Sequence, residues 1–535
     1  MISKTGENFD IILITGEHYD DHPLSPAGVI AKVLDAKGYS VGIIETPDWK
    51  EDKDFLKLGE PKLCFCVTSG SIDSMLNNYT PLKRKRSEDP HAKIVEMPDR
   101  ALIVYCNKIK KLFKDTKIVI GGIEASLRRF AHYDYWENNV RSSILADTRA
   151  DILVYGNGEM QSIEIAERLA NGRDLYGIAG TCIFSKTVPN GFKSLPPFEN
   201  VKKDTKEFCR MQNMFSINEN LAQKHTDRFV LQFKYPKYTP QFLDWIYSLD
   251  YSRDLGENSL LKLAQFSIVT HRGCIGECSF CSIAEHQGSK IISRSEESII
   301  DEIERITKHP QFKGYIDDLG GPSANMYGMD CKIACPNSCI SCRKLDLSHK
   351  KIIDLLESAR KIPGIKKVFV RSGIRYDLAA ESPKYINELS LHHISGCLKI
   401  APEHFSKKVL ALMNKPDDKF EKFKAGFEEL NKDKKQALKY YFMVAHPGDD
   451  INECRELGNK LRDFDNVDSI QIFTPTPMSV STCMYWTGMN PKTLEKVHVT
   501  YTYNEKKALK NEVFRHLKPE YQNKPYRPKK HKIKK

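Results

Sequence analysis

Short apolar runs alternate with amphipathic helical patterns in two long series along this chain, and that alternation restricts the fold more than any other feature. In the first series DIILIT (10–15), SVGIIE (40–45), LCFCVTS (63–69), KIVIGG (117–122) and DILVYG (151–156) read as buried strands, with helices over PAGVIAKVLDAKG (26–38) and ALIVYCNKIKKLFK (101–114). Strands spaced by helices imply right-handed crossovers and a parallel, doubly wound sheet. Ligands of such sheets bind beyond the strands' carboxyl ends. Those ends hold Thr15, Gly16, Glu17 and His18, then Thr68, Ser69 and Gly70, then Gly121 and Gly122, then Gly156, Asn157, Gly158 and Glu159. Glycines there also serve turn geometry alone.

The second series begins near residue 261 with QFSIVT (265–270). It continues through GYIDDLGG (314–321), KKVFVRSGIR (366–375), GCLKIAPEH (396–404), YYFMVAHPG (440–448) and SIQIFTPTP (469–477), with helical patterns at 295–308, 350–361 and 419–432. Repeated strand-helix units predict a parallel βα barrel, partial or complete, whose active site lies at the strand carboxyl ends. The expected class is α/β: a Rossmann-like domain over 1–190, a bridging segment over 191–258, a barrel over 259–490, a helical extension over 491–523 and a disordered basic tail over 524–535. The bridge, FKYPKYTPQFLDWIYSLDYSRD at its centre, is too aromatic to leave in water and is expected to wrap on both neighbours.

Net charge is 82 − 70 = +12, of which seven positive charges fall in the acid-free tail KPYRPKKHKIKK (524–535), leaving +5 elsewhere. That tail suits either phosphate attraction to a nucleic acid or simple solvation; LKRKRSEDP (82–90) reads as a weaker, charged loop. No run approaches the roughly 18–20 apolar residues of a membrane span, and MISKTGENFD lacks the apolar core of a signal peptide. The expectation is a cytoplasmic protein without a membrane partner.

Fifteen cysteines make an odd count, and seven of them fall in two close groups that suit metal ligation in a reducing compartment better than disulfides. Single cysteines such as Cys64, Cys66, Cys106, Cys182, Cys209 and Cys454 read as small buried hydrophobes. The first group, Cys274, Cys278 and Cys281, stands in HRGCIGECSFCSIAEHQG, directly after the strand QFSIVT. Spacings of four and three would also share one helix face, but Gly273 and Gly276 each cost a helix about 1 kcal/mol, which favours a loop curled around a metal. Three thiolates leave one iron of a [4Fe–4S] cube open to another ligand. A zinc site would need a fourth ligand, which His271 offers through H-x₂-C.

The C-x₃-C-x-Φ-C pattern, with Phe280 before the third cysteine, resembles that of radical S-adenosylmethionine (SAM) enzymes. The longer string through IISRS, with DLGGPSANMYGMDC, IAPEH, MVAHPG, FTPTPMSVSTCMYWTG and the amino-terminal GGIEASLRRFAHYDYW, resembles the YgiQ-type subfamily and covers nearly the whole chain before the tail. The resemblance implies that Cys274, Cys278 and Cys281 hold three irons while SAM chelates the fourth. It implies reductive cleavage of SAM to begin a radical reaction, with electrons from a low-potential donor such as a flavodoxin or ferredoxin, on a substrate left open. Gly320, Gly321 and Pro322 occupy the place of the glycine-rich motif that holds the SAM amino group. Proline stands where many radical SAM enzymes carry an acid, which leaves that task to backbone carbonyls. Phe280, Ser372, Arg375, Glu403, His404 and His446, at the loop and later strand ends, are candidates for SAM or substrate contacts.

Cys331, Cys335, Cys339 and Cys342 form the second group, whose C-x₃-C-x₃-C-x₂-C spacing suits an auxiliary [4Fe–4S] cluster, a structural zinc or inert thiols. Cys483 reads as a packed cysteine rather than a hydrogen donor. The amino-terminal sheet resembles the cobalamin-binding domain that precedes many radical SAM cores. Its D-x-H-x-x-G run is missing, with His18 and His22 out of pattern, which argues against cobalamin and leaves a substrate-gripping role. Three readings follow: a radical SAM enzyme of unassigned reaction, a cobalamin-dependent radical SAM methyltransferase, and an Fe–S nucleic-acid-binding or regulatory protein.

Overall fold

A computed structural model describes residues 1–88, 95–331, 333, 339–415, 419–433 and 436–517. Residue Cys335 and the basic tail at 524–535 lie outside the described residues, as does the end of the 82–90 loop.

The amino-terminal sheet has ten strands: β1 (Ile2–Ser3), β2 (Ile11–Thr15), β3 (Val41–Glu45), β4 (Cys64–Thr68), β5 (Ile118–Ile120), β6 (Ile152–Val154), β7 (Thr181–Ser185), β8 (Lys193–Ser194), β9 (Leu221–His225) and β10 (Arg228–Gln232). Their order is β1-β3-β2-β4-β5-β6-β7-β10-β9-β8. The first six are parallel, and β7, β10 and β9 add antiparallel neighbours. Ile11 and Leu13 face one apolar cluster with the helix Pro26–Ala36, while Ile12 and Ile14 face another with the helix Ala101–Leu112. Burial on both faces is why β2 reads as an unbroken apolar run.

The sheet does not end at the expected boundary of 190. Strands β8, β9 and β10 come from the segment expected to bridge, because Leu221, Val230 and Leu231 complete the two cores. What remains of that segment does wrap both units: Leu243, Ile246 and Tyr247 of the helix Pro240–Ser248 cover Val29 and Val33 on one side and Val269 and Ile292 on the other.

The second unit carries β11 (Ser267–Val269), β12 (Tyr315–Ile316), β13 (Asp318–Gly320), β14 (Lys367–Val368), β15 (Cys397–Glu403), β16 (Ala437–Val444) and β17 (Val467–Ile472). β11 pairs with β13, β12 with β14, and β15, β16 and β17 pair in order, all parallel. Counting β12 and β13 as one interrupted strand gives six positions, and among the described residues no ladder joins β17 to β11. The barrel is therefore partial. The strand expected over 366–375 shrinks to two residues because Asp318 takes the amides of Arg371 and Ser372, while that of Val370 goes to the His393 carbonyl. On β16, Leu438, Tyr440, Phe442 and Val444 are buried on alternate positions, facing the outer helices.

The two units also share a core. Phe473, Cys483 and Tyr485, after the last barrel strand, join Phe130, Tyr133 and Cys209 of the amino-terminal unit, and Trp486 stacks on Tyr133 at 4.8 Å. Helix Tyr503–His516 starts at a capping box of Thr502 and Glu505, and its Leu509 and Val513 extend the barrel's outer core. Its buried Lys506 donates to the hydroxyls of Tyr135 and Tyr485, both at 2.9 Å, and burial pushes its amine down to about 8. Among the described residues no helix is long and apolar enough to cross a membrane.

Buried Glu302 receives Arg294 from its own unit and Arg253 from the bridge, and Arg253 also reaches His22 of the amino-terminal unit at 3.1 Å. Burial pushes the Glu302 carboxyl up, but Arg294 and Arg253 outweigh it and hold it below its ordinary 4.5. A depressed folded value means that its contribution to stability is complete above the ordinary 4.5 and is lost as pH falls through the folded value. Glu302→Ala should lower the unfolding free energy by about 3–5 kcal/mol at neutral pH, because two buried guanidinium groups lose their partner. The gap to wild type should narrow on acidification in urea titrations; a pH-independent gap would contradict this assignment.

Candidate functional site

The sequence HRGC turns sharply after β11. Gly273 has φ +85°, and a Cβ there would collide with the Lys290 carbonyl, so the chain can enter the cysteine loop only with glycine at this point. Residues 274–281 are turns and irregular backbone rather than helix, as expected, and the short helix Ile283–Gln287 follows. The loop's backbone is tied to distant segments: Cys274 N–H donates to Gly288, Ser279 N–H to Met413, and Ser481 N–H to the Ser279 carbonyl. Asn414 Nδ2 reaches the Glu277 carbonyl at 2.8 Å.

All three loop cysteines are half-buried. Burial raises the Cys274 thiol and pushes that of Cys281 up to about 12; Cys278 adds to both shifts, and Cys274 to that of Cys281. Cys274 lies against an apolar cluster of Ile275, Ile291, Met326, Met329 and Leu378, and Arg375 Nη1 stands 3.6 Å from Cys278 Sγ. Three thiols beside an apolar wall and one guanidinium fit an iron–sulfur cluster shielded from water. Among the described residues no three His, Cys, Asp or Glu groups stand close enough together to hold a single metal ion. His271 Nδ1 meets Thr270 Oγ1 at 2.9 Å, and burial pushes the ring down to about 4 against a hydrogen bond to the Ser323 backbone.

The glycine motif lies beside this ring. The Gly320 carbonyl accepts from the amide and hydroxyl of Thr270, at 2.8 and 3.2 Å, and a Cβ at Gly321 would stand 2.6 Å from His271 Cε1. Ser372 donates to Asp318, whose carboxyl is raised by burial against the opposing pull of that hydroxyl. Glu403 has φ +69°, rare for a residue with a side chain, and pairs with Lys415 at 3.5 Å; burial raises its carboxyl and Lys415 opposes the rise. His446 is buried with both ring nitrogens engaged, Nδ1 with the Pro447 carbonyl at 2.8 Å and Nε2 with Ser481 Oγ at 2.6 Å. Phe280 meets it edge-on at 6.4 Å. His404 Nδ1 accepts from the Ser406 amide at 2.9 Å. The two histidines thus hold loops, and Glu403 remains the strand-end group with an unusual backbone.

Lys415, Asp318, Asp377 and Asn325 are site residues that the sequence reading passed over. Asp318 was recoverable, because two residues before Gly320 on a strand places it on the same side. Of the second cysteine group, Cys331 and Cys342 are exposed and Cys339 lies in the apolar cluster of Cys274. Cys66 departs from the expected burial: it is half-exposed and lines a cavity.

That cavity, of about 640 Å³, opens between the two units. One wall is formed by Leu13, Cys66 and Val119 with the turns at Gly121 and Gly156, and the other by Ser267, Asp318, Gly321 and Ser372. It lies at the carboxyl ends of β2, β4, β5 and β6, where the strand order reverses between β2 and β4. Glu159 and Arg272, each from one wall, form a buried ion pair at 2.6 Å across it. His18 lies elsewhere, beside Glu45, and His22 is bonded to the Gln265 carbonyl at 2.8 Å. Among the described residues no histidine of the amino-terminal sheet lines the cavity.

Comparison with known proteins gives three matching families along the chain: radical SAM N-terminal over 1–263, the radical SAM superfamily over 268–461, and a domain of unknown function over 468–524. A UPF0313 protein of Clostridium botulinum is 42% identical over 94% of this chain and 84% of its own length. One from Methanocella arvoryzae is 42% identical over 94% of this chain and 89% of its own. Among solved structures, the radical SAM methyltransferase TsrM from Kitasatospora setae, with cobalamin and a [4Fe–4S] cluster bound, is similar in fold. It has a TM-score of 0.57 and 14% identity, covering 95% of this chain and 89% of that one. The same protein with tryptophan and a SAM analogue gives a TM-score of 0.54 and 16% identity, covering 89% and 76%.

The contact between Gly321 and His271 is directly testable. Gly321→Ala should destabilise the protein by about 1–3 kcal/mol through overpacking. In a double-mutant cycle with His271→Ala the two losses should combine to less than their sum; strict additivity would contradict the contact.

Proposed function

The chain belongs to the UPF0313 family and is a radical SAM enzyme, and from that premise we propose that Cys274, Cys278 and Cys281 hold a [4Fe–4S] cluster whose open iron takes SAM. When bound, that pair would supply one-electron reductive cleavage of the sulfonium C–S bond of SAM to begin a radical reaction on a substrate. The observation that carries the reading is a loop with three half-buried thiols and no fourth, at the carboxyl end of the first barrel strand, beside an apolar wall.

The chain's own groups define the rest of the reading. With the Gly320 carbonyl taken by Thr270, the Gly321 and Pro322 carbonyls are left to accept from the SAM amino group. Glu403, aimed by its unusual backbone and paired with Lys415, is the acceptor for a ribose hydroxyl. The inter-unit cavity is the place for the substrate, since its volume suits a small molecule and Gly321 and Pro322 form part of its wall. The Glu159–Arg272 pair closes the two walls on one another and helps keep water from a radical. Electrons come from a low-potential flavodoxin or ferredoxin. An auxiliary cluster or zinc at the second cysteine group remains a separate proposal, with one of its cysteines outside the described residues; a nucleic-acid role for the basic tail lies outside them altogether.

A second reading, a cobalamin-dependent methyltransferase, is favoured by the cavity's place at the strand ends and by the cobalamin bound in TsrM. Against it stands the want of a sheet histidine on the cavity wall among the described residues. Cobalt retention after anaerobic reconstitution with hydroxocobalamin separates the two. For the first reading, anaerobically reconstituted wild type should form 5′-deoxyadenosine from SAM under dithionite, and Cys278→Ala should fall to background. Undiminished product from Cys278→Ala would contradict the assignment of the triad.

A further inference from the structure

Resting on the triad as a cluster site, we propose that Arg375 is the hydrogen-bond partner of the Cys278 sulfur and thereby sets the reduction potential of the cluster. Arg375 would then be a positioning residue acting on a cluster ligand.

The guanidinium is divided between a carboxylate and a sulfur. Its Nε and Nη2 grip Asp377 at 2.8 and 2.7 Å, and the remaining nitrogen, Nη1, is the one 3.6 Å from Cys278 Sγ. The planar fork permits this division, two nitrogens on a carboxylate and the third on a sulfur, where a lysine ammonium could not reproduce it. Its backbone is equally fixed. Asn325 accepts from the Arg375 amide at 2.9 Å and donates to its carbonyl at 3.0 Å, and is itself 3.2 Å from His349.

The cysteine loop is shaped around this side chain. A Cβ at Gly276 would collide with Arg375 Nη1 and lie 3.4 Å from Cys274 Sγ, so the glycine between the first two cysteines makes room for the guanidinium. Arg375 and Asp377 are both buried, and their charges cancel within the pair. The Nη1 hydrogen on sulfur is what distinguishes this pair from a strand-end fastening.

A hydrogen bond donated to a ligand sulfur favours the reduced, more negative cluster and raises its potential. The step concerned is the arrival of one electron from dithionite; Arg375 keeps its proton, and no bond to it forms or breaks.

The test is an EPR-monitored redox titration of the full chain after anaerobic reconstitution, following the signal that SAM perturbs. At a fixed applied potential the reduced-to-oxidised ratio should fall at least tenfold in Arg375→Met, a shift of about 59 mV to the negative for one electron. Arg375→Lys, which keeps the charge without the fork, should shift less. Loaded variants titrating with wild type would overturn the proposal. So would failure of both variants to load iron while far-UV circular dichroism stays native, since the residue would then serve assembly rather than potential. If wild type itself gives no SAM-responsive signal, the fault lies with the triad reading, a separate outcome.

Discussion

The site depends on where the backbone of the cysteine loop finds its hydrogen bonds. A loop with this much buried backbone must satisfy its amides and carbonyls somewhere. It does so on Gly288, Met413 and Ser481, and through the Asn414 side chain. Met413 and Asn414 follow β15, and Ser481 follows β17, so the position of the three sulfurs is set by the whole partial barrel. Ser481 also holds His446, which meets Phe280 edge-on, so the aromatic before the third cysteine is wedged by the same segment. The segments MVAHPG and FTPTPMSVSTC thus frame the loop.

The second constraint is the approach of two sets of strand ends. In each unit the parallel strands leave their glycines and polar groups at the carboxyl edge, and the two edges face a common cavity. The closing ion pair of Glu159 and Arg272 is buried at 2.6 Å, and the Glu302 group with Arg253 and Arg294 adjoins it through the Tyr247 ring, over which both Arg272 and Arg294 stand. Buried pairs of this kind add little net stability over an apolar substitute but impose one geometry, because breaking either partner is costly.

Much of the fold was legible because its signals are local. Runs such as DIILIT and SVGIIE, buried on both faces, could only be strands of a covered parallel sheet, and the helix at 350–361 ends at the residues its periodicity predicts. The cysteine loop was legible from spacing and from its two glycines. Less visible were β8 to β10, whose pairing is long-range and partly antiparallel, and the loss of strand after Val368, which follows from one carboxylate of another strand. The site residues split in the same way. Strand ends pointed to Ser372, Arg375, Glu403 and His446, but side-chain partners decide what each can do, and the sequence does not show that Asp377 grips Arg375 or that Ser481 occupies His446.

The central claim is that the three thiols hold a cluster with one iron open to SAM. EPR of the dithionite-reduced, anaerobically reconstituted protein, recorded with and without SAM, tests it most directly. The account predicts iron and sulfide in equal amounts, about four of each per cluster, and a reduced spectrum that SAM changes. A metal content dominated by zinc, or a cluster spectrum indifferent to saturating SAM, would contradict it.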